Sequence, residues 1–328
     1  MKSVDTHGYE KELRAAMDAV SQASILCRAV QAEIAPGTLE KKDRSPVTVA
    51  DFGSQALVCR IIHEAFPDDP IIAEEDSKAL RDPQNNQILE RLVGHVRALH
   101  ASTPTDEICS WIDYGGAAQY SERFWTLDPI DGTKGFLRGD QYAISLALIV
   151  GGELTVAVLG CPNLSMGSDN KGALLFAVRG AGAFVLDADS GSQPIHVSNI
   201  EDTTMIRFCE SFEAAHTSHG DSAAIAQELG IVASPVRIDS QAKYAVVATG
   251  EGDAYLRMPR GDSYREKIWD HAGGALIVTE AGGKVTDLHG KPLVFTHGRT
   301  LEENRGVIVS NGLVHNSILE TIRRLGLD

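Results

Sequence analysis

The chain has 328 residues, 43% hydrophobic and 23% charged, with 45 acidic against 30 basic side chains and a formal net charge of -15. That size supports a large core, in two packed parts or one layered unit, and the acidic balance excludes a basic face for nucleic acid. Five widely spaced cysteines (Cys27, Cys59, Cys109, Cys161, Cys209) form no C-x-x-C pair, which fits reduced core thiols better than disulfides or zinc. The first twenty residues carry charges throughout, and the longest strongly apolar run, "AISLALIV", is too short to span a bilayer. No membrane association is therefore expected, and a cytoplasmic location is.

Apolar residues at Leu13, Met17, Val20, Ala23, Cys27, Val30 and Ile34 recur in steps of three and four, predicting an amphipathic helix over 9–34. A second helix is expected to begin near Asp51, with that aspartate at its N-terminal end, Phe52, Ala56, Cys59, Ile62 and Phe66 on one stripe, and Pro67 as its stop. "PIIAEE" reads as a short strand delivering Glu74 and Glu75 at its C-terminal edge. A third helix is expected over 88–99. After Trp125, "YAISLALIV", "LTVAVLG", "ALLFAVR" and "AFVLD" are separated by glycine-rich turns and predict antiparallel hairpins, so the first half reads as α+β. From about Ile195, short strands ("MIRFCE", "PVRI", "AYLRM", "KVTDL", "GVIVS") alternate with helical segments over 222–229, 241–249, 268–281 and 313–325, an α/β pattern. The linker-like "DADSGSQP" puts an expected boundary near 190–198, dividing the chain into 1–195 and 196–328.

The stretch "WTLDPIDGTKGF" holds two aspartates three residues apart. Pro129 lacks an N–H and biases Asp128 towards an extended conformation, so the chain is expected to leave its strand there. Residues three apart on a straight strand point to opposite faces, so a turn is expected to bring Asp128 and Asp131 together and to free the Ile130 carbonyl. Two carboxylates and a carbonyl are hard oxygens that suit magnesium. Gly132 and Thr133 open the next element and could cradle a phosphate. A calcium loop starting at Asp128 would need an acid and a glutamate where Ile130 and Gly139 stand, and a haloacid-dehalogenase nucleophile would replace Pro129. Taken alone, the pair also fits an acidic turn with Asp128 capping a helix.

"SPVTVADFGSQ", "IIAEEDS", "LDPIDGT" and "IWDHAGG" occur in this order and together resemble the inositol monophosphatase superfamily of magnesium-dependent, lithium-sensitive phosphatases. The longer runs "DPIDGTKGFLRGDQYAISLAL", "CPNL", "DSQAKYAVVATGEGDAYLRMP" and "YREKIWDHAGG" narrow the likeness to its fungal and plant 3′(2′),5′-bisphosphate nucleotidases, over about Ala16 to Ser310. The resemblance implies a layered αβαβα sandwich of the inositol monophosphatase-like (sugar phosphatase) fold. It implies that Glu74, Asp128, Asp131, Asp270 and the Ile130 carbonyl hold two or three Mg2+ ions, which would explain the acidity as a site presenting positive charge to a phosphate. Asp51 and Thr133 match the pair that orients and deprotonates the attacking water. Gly132, Thr133, His216, Ser240, Lys243, Arg257 and Asp270 match substrate contacts. Read alone, Lys243, Arg257 and His216 would be solvated surface groups, Asp51 a helix cap, His271 structural and Glu75 a supporting or surface acid. Ala73 and Gly273 depart from the commoner glycine and alanine without removing a functional side chain.

The implied activity is hydrolysis of the 3′-phosphate of adenosine 3′,5′-bisphosphate to AMP and phosphate, extending to 3′-phosphoadenylyl sulfate, which would clear a by-product of sulfate transfer. An inositol phosphate phosphatase of the same superfamily is the alternative reaction. A catalytically silent nucleotide sensor is the alternative of another class, although Asp51, Thr133 and the acids it would have lost are all present. A monomer with a small-molecule partner is expected.

Overall fold

Leu13, Ala16, Val20, Ala23, Cys27 and Val30 form one buried face of helix α1 (Glu10–Ala32), packed against α2 (Ser45–Ala65), as their spacing requires. The computed structural model describes residues 6–34, 45–166, 172–187, 191–212, 219–259, 261 and 263–328. α2 begins before the expected start near Asp51, so Asp51 lies inside the helix and is neither at its end nor a cap. "SPVTV" reads as extended from its proline and β-branched residues. Pro46, however, falls in the first turn, where a missing N–H breaks no intrahelical bond, and Val49 and Ala50 are fully buried.

Strand β1 (Ile71–Ala73) is followed by α3 (Asn86–Leu99), α4 (Thr105–Asp113), β2 (Arg123–Asp131) and the short α5 (Thr133–Arg138). Five strands follow: β3 (Ala143–Val150), β4 (Glu153–Cys161), β5 (Ala173–Val178), β6 (Gly182–Asp187) and β7 (Gly191–Pro194). β1 to β7 make a seven-stranded sheet in sequence order, antiparallel except for the parallel pair β1 and β2. The remaining elements are β8 (Phe208–Glu210), α6 (His219–Glu228), β9 (Val236–Arg237), α7 (Ala242–Ala248), β10 (Ala254–Arg257), α8 (Ala272–Glu280), β11 (Lys284–Thr286), β12 (Val307–Ser310) and α9 (His315–Leu325). Their strands form a mixed five-stranded sheet in the order β11, β12, β10, β8, β9.

The first sheet is buried on both faces, which is why β3 and β4 read as unbroken apolar runs. Ile144, Leu146, Leu148, Val156 and Val158 face the core shared with α1 and α2. Ala143, Ala147, Ile149, Ala157 and Leu159 face a second core shared with α7 and α8. Those two helices also pack on the second sheet, whose other side is covered by α6 and α9 through Ile225, Ile318 and Ile322. The layers are thus helix pair, sheet, helix pair, sheet, helix pair, the αβαβα order that the resemblance implied. α4 and β7 were not foreseen. No helix among the described residues is long and apolar enough to cross a membrane.

His315, at the start of α9, is 0% exposed, with its ring nitrogens 2.8 Å from Thr286 Oγ1 and 2.8 Å from Ser310 Oγ. Burial, then the charge of Lys284, lowers its pKa to about 4. The unfolded chain takes up this proton near the ordinary histidine value and the folded chain does not. Stability is therefore full above that value and falls as pH drops towards 4, by up to about 3 kcal/mol. Urea unfolding at pH 7 and pH 5 should show this loss, and His315→Asn should flatten the difference; an unchanged pH dependence in the variant would refute it.

Candidate active site

Asp128 and Asp131 come together through a β-bulge, and the expected exit from the strand does not occur. β2 pairs with β3 as Asp128↔Ser145 and Asp131↔Ala143, so three steps on one strand face two on the other. The extra residue flips the side-chain alternation, and both aspartates share the face of Ser145 and Ala143, towards α7 and α8. Pro129 is tolerated because a bulge needs one ladder donor fewer. Ser54 Oγ of α2 donates to the Pro129 carbonyl at 2.8 Å and anchors the bulge. Gln55 grips the backbone of Glu75 with bonds of 2.7 and 3.0 Å, and so sets Glu74 beside it.

A cleft of about 550 Å³ opens where parallel β1 and β2 end, bounded by α2, α5, α7 and the turn before α8. It is lined by Asp51, Glu74, Asp128, Ile130, Asp131, Gly132, Thr133, Ser240, Lys243, Arg257 and Asp270, every site residue expected from the sequence except His216, which lies outside the described residues. Gly132 adopts φ +91°, and a Cβ there would meet Ser240 Cβ at 2.8 Å. Ser240 itself has φ +68°, uncommon for a residue with a side chain. The loop after β2 and the loop before α7 therefore interlock across the cleft floor. Gly273 has a similar cause: a Cβ there would lie 2.4 Å from Ser145 Oγ, so the departure from alanine goes with a serine on β3.

The carboxylates are mutually repelling. Burial, then Glu74, Asp131, Asp270 and Asp51, raises the pKa of Asp128 well above its ordinary value. Asp128 is 2% exposed, and its Oδ1 has no hydrogen-bond partner among the described residues. Loss of water contact in the crowd, followed by Glu75 and Asp131, pushes Glu74 up to about 7, although its side chain faces the opening. Burial and then Asp131 push Asp270 up to about 7. Asp51 is raised by burial, then by Glu75 and Glu74. A buried, partnerless carboxylate oxygen among other hard oxygen donors is the arrangement that a divalent cation completes.

Two cations of the cleft, Lys243 and Arg257, come from the second half, beside Lys134 from the first. Lys243 is not a solvated surface charge: it is 3% exposed, donates from Nζ to Ser211 Oγ at 3.0 Å, and lies over the Tyr255 ring. Burial lowers its pKa to about 8, against the pull of Asp131. Arg257 is largely but not fully covered, with Nη2 3.1 Å from Glu266 and 3.6 Å from Asp270. Burial alone would raise Glu266, but His271 and Arg257 hold it down at about 2. Glu266, Asp270 and His271 offer ligand atoms within 4.8 Å of one another. Glu266 is already paired with both His271 and Arg257, which makes this corner a hydrogen-bonded network centred on one carboxylate. Glu266 was missed from the sequence although it stands four residues before Asp270 in the quoted "YREKIWDHAGG". Ser54 and Gln55 were passed over in "SPVTVADFGSQ" in the same way.

Clustered acids facing cations in one cleft of a five-layer fold are an arrangement suited to an enzyme that handles phosphate. The family model described as "Inositol monophosphatase family" matches residues 9–327, and the chain belongs to that family. Curated relatives include a 3′(2′),5′-bisphosphate nucleotidase of Emericella nidulans, 43% identical over 97% of this chain and 99% of its own. Another, from Schizosaccharomyces pombe, is 42% identical over 95% of each chain, and one from Oryza sativa is 45% identical over 96% of this chain and 94% of its own. Among solved structures, the IMPase of Thermotoga maritima shares the fold at TM-score 0.65 and 21% identity, covering 96% of this chain and 98% of its own.

Proposed function

We propose that the protein is a magnesium-dependent phosphatase that removes the 3′-phosphate of adenosine 3′,5′-bisphosphate, giving AMP and phosphate, and that also accepts 3′-phosphoadenylyl sulfate. One observation carries this reading: four acids suited to cations share a single cleft with a lysine and an arginine suited to a second phosphate. The names of the curated relatives support the substrate class. The family is generally metal-dependent, and the oxygen-only donor set supports magnesium, in two or three ions, over a softer metal.

Glu74, Asp128, Asp131 and Asp270, with the Ile130 carbonyl, would hold those ions. When bound they supply Lewis acidity at the phosphate and make water acidic enough to ionise near neutral pH. The chain's own residues orient the reaction. Asp51, kept above the ordinary carboxylate range, is a stronger base than a solvated aspartate, and can take a proton from Thr133 while the threonine oxygen accepts one from the attacking water. Neither is a covalent nucleophile. Gly132 brings backbone close to the scissile phosphate, and Ser240, Lys243 and Arg257 face the second one as charge-assisted donors. His216 is proposed as a nucleotide contact from the resemblance alone.

In this reading residues 1–195 carry the catalytic acids, and 196–328 carry the nucleotide contacts and the last acid. The five cysteines are free and buried, which fits the reducing cytoplasm we infer for a monomeric enzyme. Phosphate release should be measured with adenosine 3′,5′-bisphosphate, its sulfated relative, inositol 1,4-bisphosphate and inositol monophosphate, with and without chelator. Turnover of the nucleotides with magnesium, lost on chelation and inhibited by millimolar lithium, is the expected result. Faster turnover of the inositol phosphates would move the protein to the other branch of its family, and absence of turnover on the whole panel would favour a nucleotide sensor.

A further inference from the structure

Arg257 stands at one end of a hydrogen-bonded chain that runs behind the cleft wall to Tyr244, which also lines the cleft. Tyr244 Oη and His271 Nδ1 share a hydrogen bond of 2.7 Å, and His271 Nε2 lies 3.3 Å from Glu266 Oε2. Glu266 accepts from Arg257 Nε at 3.2 Å on each carboxylate oxygen and lies 3.1 Å from Nη2. Tyr244, His271 and Glu266 are 1%, 1% and 4% exposed. So much buried polarity is retained only where its partners are matched, and here each member fixes the next. The tyrosine sets the imidazole, the imidazole holds the carboxylate, and the carboxylate fixes the plane of the guanidinium.

Arg257 Nη2 also lies 3.6 Å from Asp270 Oδ2, longer than its contact with Glu266. A guanidinium without Glu266 would be a buried charge with Asp270 as the nearest carboxylate, and it would close onto that group. It would then turn from the second-phosphate position towards the cleft floor and take up an acid needed there. We propose that Glu266, set by His271 and Tyr244, is a positioning residue that keeps Arg257 off Asp270 and aimed at the substrate's second phosphate, and so determines the preference for a bisphosphate. The inference rests on the reading of Arg257 given under the proposed function.

Competitive inhibition separates the two phosphate positions without requiring turnover of a poor substrate. AMP carries only the second phosphate, and inorganic phosphate is expected to bind first at the scissile position, where the cations would gather. Glu266→Gln is expected to raise the Ki for AMP at least tenfold and to leave the Ki for inorganic phosphate within twofold. Tyr244→Phe should raise the AMP constant about threefold, and it carries the test if the glutamine variant fails to fold. In an Arg257→Ala background, Glu266→Gln should add nothing. Equal rises for both inhibitors, or an unchanged AMP constant in both the glutamine and phenylalanine variants, would overturn the positioning role. An unchanged AMP constant in Arg257→Ala alone would instead remove the underlying assignment of Arg257, so the two failures are told apart.

Discussion

Asp131→Ala is expected to lower phosphate release from adenosine 3′,5′-bisphosphate about a thousandfold. Asp131 stands at the end of β2 beside the cradle and bears on three other acids: it raises Glu74, Asp128 and Asp270. On the proposed reading, its loss removes a cation ligand at the point where the scissile phosphate would sit, and with it several kcal/mol of transition-state stabilisation. The fold should survive, because the side chain is only half-buried and removing it relieves repulsion. Steady-state phosphate assays with far-UV circular dichroism check both halves of the expectation. Turnover within tenfold of the parent, with the spectrum intact, would take Asp131 out of the mechanism.

Asp128→Asn should separate stability from function in the opposite sense. The parent carries a desolvated carboxylate oxygen with no hydrogen-bond partner among the described residues, surrounded by other acids. Magnesium at a hundred times its dissociation constant should stabilise the folded state by about 2.7 kcal/mol, an upward shift in Tm of about 5 °C. The asparagine variant loses the buried charge, so in chelator its Tm should lie a few degrees above that of the parent. Adding magnesium should then move it little. Thermal scans of both proteins with and without the ion test this, and a variant that is less stable than the parent in chelator, or as responsive to magnesium, would contradict it.

The two substitutions probe a strained arrangement that the sequence announces only in part. The four ordered motifs name Asp51, Glu74, Asp128, Asp131 and Asp270, and periodicity alone outlines α1, the hairpins from β3 to β6 and the alternating elements after Ile195. These features are local: a repeat of two or of three to four, a glycine turn, a run of fixed residues. The start of α2 was misread because "SPVTV" has weak helical preference, and burial of Val49 and Ala50 overrides it. The exit expected at Pro129 was misread because a bulge is defined by two strands, and the partner residues Ser145 and Ala143 lie well along the chain.

What the sequence by itself determined is which acids are on offer, their order along the chain and the class of cation their oxygen donors would suit, because donor chemistry belongs to residue type. Only the tertiary structure decided which groups are solvated and which are paired. Lys243 and Arg257 read as surface charges until α7 is buried between the two sheets and β10 takes a central place in the second, and Glu266 reads as one acid among 45 until folding sets it between His271 and Arg257. Burial and ion pairing are sums over neighbours remote in sequence, and those neighbours exist only once the layers have closed.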